Sequence, residues 1–239
     1  MRGGTKSTLV KPLLQTANVE IIQSIPEKSP SDSQHVVDAM LLVNNIKITS
    51  KMVKFEDFST EFCKAVYTTH SDRVDVCGDR YDIPSPKDET RSIRAKATKK
   101  KNPKTSKQRK IIRKQVEKII TPELDFPASE KDFKMFLTLK ENKTSLQKLL
   151  GESLLKQPPT NKVVILSGLF EDPQEVRSNA LPESLLRPLE CDHEEADTRI
   201  VFNVIRSPTT RSVVECSDTD VLVILLSNYM HMSSKEVYM

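Results

Sequence analysis

Short apolar runs that stop at or beside an acid constrain this chain more than any other feature. His35-Val36-Val37 runs into Asp38, and Arg73 to Cys77 is followed by Gly78-Asp79. Ser212 to Cys216 is followed by Ser217-Asp218-Thr219-Asp220. A fourth run, Val163 to Leu166, stops short of Gly168. Runs of four to six apolar, β-branched residues bounded by turn formers read as strands buried on both faces.

Helical patterns lie between them. Phe55, Phe58, Phe62, Ala65 and Val66 share one helix face, as do Leu146, Leu149, Leu150 and Leu154. Ala196, Ile200 and Val204 mark a third stripe between Glu194 and Ile205. Ser129 with Asp132 forms a capping-box pattern ahead of Phe133 and Phe136. Strands alternating with helices predict an α/β fold, a parallel sheet flanked by helices. Val221 to Leu226 fits a strand or a buried helical turn, and Asp172 to Pro188 reads as a Pro-containing loop.

Hydrophobic residues make up only 37% of the chain and aromatics 5%, so a core is expected for part of it. Residues 1–34 are expected as a disordered arm, with Leu9 to Ile22 apolar enough for a short helix. A domain is expected over 35–230 and a tail over 231–239. Lys and Arg crowd between Arg91 and Lys118, while Glu171 to Asp220 is acidic. This split suggests a phosphate-binding and a cation-binding region in one molecule. Pro103 interrupts the basic stretch, which is expected as an irregular or helical insertion over about residues 95–120. Cys63, Cys77, Cys191 and Cys216 form no CxxC pair, which argues against a zinc knuckle. Reduced thiols, no signal peptide, no membrane span and an intracellular location are expected.

In an open α/β sheet the functional crevice lies beyond the carboxyl ends of the strands. Asp38, Asp79, Asp218 and Asp220 are therefore expected near one another, together with Glu194, Glu195 and Asp197 at a helix start. Carboxylates crowded together repel, and cations relieve that repulsion. Oxygen ligands suit Mg²⁺ or Mn²⁺. Taken singly, each acid also has an ordinary role as a turn former or helix cap.

Glu195-Ala196-Asp197-Thr198-Arg199, followed by Ser217-Asp218-Thr219-Asp220-Val221-Leu222, resembles the flap endonuclease and XPG-type group of PIN-like nucleases. Val36-Val37-Asp38-Ala39-Met40 and Val76-Cys77-Gly78-Asp79 are similar to the two earlier motifs of that group, with Ala39 where the group carries Gly. Within the group, the stretch His193 to Arg199 is nearest to animal proteins carrying H-E-E-A-D-T-R and D-T-D-V. The resemblance implies a PIN-like fold and a divalent-metal-dependent nuclease. Asp38, Asp79, Glu195, Asp197, Asp218 and Asp220 would bind metal and catalyse, and Lys87, Arg91 and Arg94 would hold phosphate.

Nucleic acid is the expected partner, with the stretch from Lys96 to Lys118 guiding a strand. The alternative is a non-catalytic nucleic-acid-binding or scaffold protein, derived from a decayed or truncated nuclease. A third reading makes the Lys-rich run a nuclear localisation signal on an interaction protein, which adds nuclear targeting to the expectations.

Overall fold

The computed structural model describes residues 32–81, 119–156, 158, 159 and 161–239, with Pro12 and Gln15 singly. The expected arm, the possible helix within it, the basic stretch and Lys87, Arg91 and Arg94 lie outside the described residues, apart from Pro12, Gln15 and the arm's last residues.

The first strand, β1 (Ser33–Asp38), passes at once into helix α1 (Ala39–Asn45). Asp38 makes that junction, because its Oδ1 accepts from the backbone N–H groups of Met40 at 2.7 Å and Leu41 at 3.2 Å. The apolar run His35 to Val43 is thus two elements, divided where an N-cap carboxylate satisfies the new helix's unpaired donors.

Helix α2 (Phe55–Tyr67) and strand β2 (Arg73–Cys77) follow. Helix α3 (Glu130–Phe136) starts at the expected Ser129 cap, whose Oγ accepts from Asp132 N at 3.2 Å. Helix α4 (Lys140–Lys156) then leads to strand β3 (Val163–Ser167).

The stretch expected as a loop holds strand β4 (Val176–Ser178) and the short helix α5 (Glu183–Leu186). β4 pairs antiparallel with β3, and the open edge of β3 offers it ladder partners. Helix α6 (Ala196–Arg206) and strand β5 (Arg211–Glu215) match their predicted places to within two residues. Val221 to Leu226 resolves as helix, within α7 (Thr219–Asn228). Its start is fixed by Asp218, whose Oδ1 accepts from Asp220 N at 2.9 Å. The expected tail contributes strand β6 (Glu236–Tyr238), which pairs parallel with β5.

The sheet runs β4-β3-β2-β1-β5-β6, parallel throughout except for β4. The chain lays down β1, β2 and β3 in one direction, then returns to place β5 on the other side of β1. The order therefore reverses between β1 and β5, the position where open α/β sheets open a crevice.

Successive strand residues alternate between two faces. Val37, Val74, Val76, Val164 and Leu166 meet α1 to α4 in one large apolar core. Val36, Cys77 and Val214 meet Ile200, Val201 and Val204 of α6 and Val221 and Leu225 of α7 on the other face. An aromatic cluster consolidates the first core. Phe58 stacks on Phe126 at 5.3 Å between centroids, and Phe55 meets the same ring edge-on at 5.1 Å.

Candidate metal centre

Register places the site. Asp38 ends β1 opposite Cys77 of β2, and Cys77 is opposite Ser167 of β3. On the other side Val37 is opposite Glu215, so Cys216 follows β5 at the level of Asp38. Asp38 alternates with Val36, and Cys216 with Val214, so both lie on the face covered by α6. α6 packs across β1 and β2 and carries Asp197 in its first turn. One ligand atom each from Asp38, Asp197 and Cys216 consequently lie within 4.8 Å of one another, a group that could hold a metal ion. Two carboxylates and a thiol are a chemically sensible donor set for a divalent cation.

The electrostatics match that crowding. Burial pushes the Asp38 carboxyl from its ordinary 3.8 up to about 6; the charges of Asp79 and Asp197 add to the rise, and its two backbone hydrogen bonds oppose it. Burial also pushes the Cys216 thiol up to about 11, helped by the charges of Asp38, Asp197 and Asp218. Asp197 itself is only 8% exposed.

The other expected acids have distinct positions. Asp79 is close enough to raise Asp38, yet both its oxygens are engaged. Oδ1 accepts from Ala196 N at 2.8 Å, and Oδ2 accepts from the Tyr81 hydroxyl at 3.0 Å. Asp79 therefore pins the N-terminus of α6, and a backbone bond from Arg80 N to Glu194 O at 2.8 Å adds to the same junction. Asp218 caps α7 and gives its N–H to Cys216 Sγ at 3.4 Å. Glu195 occupies the N-cap position of α6 and Asp220 the first turn of α7, both half-buried. Neither joins the three-atom group, and nor does Asp79 or Asp218.

Sequence reasoning missed Cys216, read only as a small apolar residue. The alternation of Val214 and Cys216 along the expected strand Ser212 to Cys216 was the available signal. Arg199 and Asn203 were missed as well, although they continue the α6 stripe from Ala196 at intervals of three and seven. Arg199 is fully buried, donating from Nη2 to Pro173 O at 2.9 Å and from Nη1 to Cys191 Sγ at 3.5 Å. Asn203 donates to Arg199 O at 2.9 Å and lies 3.4 Å from both Cys77 Sγ and Ser167 Oγ. Gly168, at φ 72°, lets the chain pass over Arg199; a Cβ there would stand 2.8 Å from Arg199 Nε and 2.5 Å from Gly78 O. These contacts fasten α6 to the ends of β2 and β3, and with it the height of Asp197 above the sheet.

A groove of about 710 Å³ between α1 and α2 includes Leu42, Lys47, Lys51 and Lys64 in its lining but none of the candidate acids. The acids sit instead at the strand ends. No helix among the described residues is long and apolar enough to cross a membrane. Set against known proteins, the chain matches no family model, no curated relative and no solved structure.

Proposed function

We propose that this chain is a divalent-metal-dependent, PIN-like phosphodiesterase acting on structured or single-stranded nucleic acid. The observation that carries the reading is the convergence of Asp38, Asp197 and Cys216 at the strand-order reversal. These residues come from sequence positions up to 178 apart, since 216 − 38 = 178. Asp38 and Asp197 would hold the ion, Mg²⁺ or Mn²⁺ in the nuclease reading. A bound divalent ion lowers the pKa of its water and stabilises charge on the phosphoryl oxygens. Asp79 orients α6 so that Asp197 faces Asp38. Asp218 adds negative charge beside Cys216, and Asp220 and Glu195 complete the acidic set that this reading assigns to metal binding. Lys87, Arg91 and Arg94 are the proposed phosphate-holding set, and the Lys96 to Lys118 stretch the strand guide.

The commitment of both Asp79 oxygens to structural bonds favours a second reading, nucleic-acid binding without cleavage. A cleavage assay on flap, hairpin and single-stranded DNA and RNA separates the two. Nuclease function expects product with Mg²⁺ or Mn²⁺, loss with chelator and loss in Asp197→Asn. Binding without product under any divalent ion overturns it in favour of the second reading.

A further inference from the structure

The resemblance that motivates the nuclease reading implies an all-oxygen site, yet the third atom of the converging group is sulfur. We propose that Cys216 is a ligand of this centre, and that it shifts the site's preference from Mg²⁺ to ions of borderline softness such as Zn²⁺ and Co²⁺. The proposal rests on the metal-site reading above and names the ion class it takes.

Three features of the geometry support it. Cys216 Sγ is one of three potential ligand atoms, from the end of β1, the first turn of α6 and the residue after β5, all within 4.8 Å of one another. The Asp218 N–H donates to that sulfur at 3.4 Å, an orientation that stabilises charge on a metal-bound thiolate. Asp38 spends Oδ1 on Met40 and Leu41, which fixes the carboxylate's direction and leaves Oδ2 without a hydrogen bond among the described residues. Ligand direction is thus set before an ion arrives, by backbone donors on both sides of the opening.

Donor chemistry then decides selectivity. Mg²⁺ demands hard oxygen ligands and sheds its water reluctantly, whereas a thiolate favours Zn²⁺ and Co²⁺. On coordination the thiol proton leaves to solvent and the sulfur lone pair forms the metal bond, so no redox partner is needed.

Co²⁺ titration of the reduced, chelator-stripped full chain tests this. Thiolate-to-cobalt charge-transfer absorption is expected in the wild type and in Cys63→Ser, and is expected to vanish in Cys216→Ser. Cys216→Ser should weaken Co²⁺ about tenfold or more while leaving Mg²⁺ within about twofold. Cys216→Asp, which makes the donor set all oxygen, should lose the absorption and bind Mg²⁺ more tightly than the wild type. A parallel melting experiment with Mn²⁺ keeps the two readings apart. An ion-dependent rise in Tm that needs Asp197, without charge transfer or with absorption that survives in Cys216→Ser, overturns the thiolate proposal and leaves the oxygen site standing. No rise in Tm with any divalent ion, and no charge transfer, overturns both.

Discussion

The two faces of the sheet are built on opposite principles. Toward α2, α3 and α4 the interior is apolar and rich in aromatic rings, with Phe55, Phe58, Phe126 and Phe133 all buried. Toward α6 and α7 the apolar cluster is smaller. It shares its space with Arg199, Asn203, Ser167 and Cys77, and with Asp38 and Asp197 at its upper end. The Arg199 Nε and Asn203 Oδ1 atoms have no hydrogen-bond partner there among the described residues. Unpaired buried polar atoms cost stability. The apolar packing thus lies mainly on one side of the sheet, and the candidate acids lie on the other.

Substitutions can break that contrast, beginning with the aromatic face. Phe58→Ala removes a fully buried ring packed at 5.3 Å from Phe126 and 5.0 Å from Phe133. A loss of about 3–5 kcal/mol in denaturant unfolding is expected. A loss under about 1 kcal/mol would mean that the aromatic face does not hold the fold.

On the polar face, Gly168→Ala forces a side chain into left-handed backbone against Gly78 O and Arg199. A destabilisation of about 2–3 kcal/mol is expected from the strain and the crowding. Divalent-ion affinity should fall alongside it, because α6 carries both Arg199 and Asp197. Unchanged affinity in a destabilised variant would uncouple this anchor from the site.

Asp38→Asn is expected to act with the opposite sign. Asn retains the cap oxygen and removes the charge. The folded Asp38 carboxyl titrates at about 6 against an ordinary 3.8, so its protonated form is favoured by folding. That contribution is full below about pH 4 and is lost as pH rises through about 6. Without metal, Asp38→Asn should therefore gain about 1–2 kcal/mol at pH 7 and nothing at pH 4, with about 3 kcal/mol as the ceiling set by the shift. Melting curves across that range check it, and a gain independent of pH would exclude charge relief as the cause. The smallest effect is expected at the exposed side of α7. Val223→Ser, at a residue 42% exposed, should change stability by less than about 0.5 kcal/mol.

Much of this arrangement was legible in the residues themselves. Alternation and apolar runs located β1, β2, β3 and β5, because a buried strand must be apolar and β-branched wherever it is covered. Ser129-x-x-Asp132 marked the start of α3, since a cap is a contact between near neighbours. Acids at strand ends pointed to the sheet edge where Asp38 and Asp197 come together with Cys216. Local pattern was weakest where an element depends on a distant partner. Val176–Ser178 and Glu236–Tyr238 are three residues each and become strands only because β3 and β5 offer them free edges. Val221 to Leu226 was ambiguous because a uniformly apolar run has no period to read.

The same division runs through the candidate site. Sequence determined which acids were available and that several of them stand at strand ends. Only the tertiary structure decided their roles. Asp79 and Asp218 carry similar motifs to Asp38, yet Asp79 spends both oxygens fastening α6, and Asp218 caps α7 and supports a sulfur. Cys216 enters the group because the β1–β5 register sets it level with Asp38, and Arg199 is buried because Gly168 makes room for it. The physical reason is range. Hydrophobic periodicity and caps are interactions among neighbours in the chain, whereas ligand convergence depends on register between strands whose sequence separation carries no trace of it.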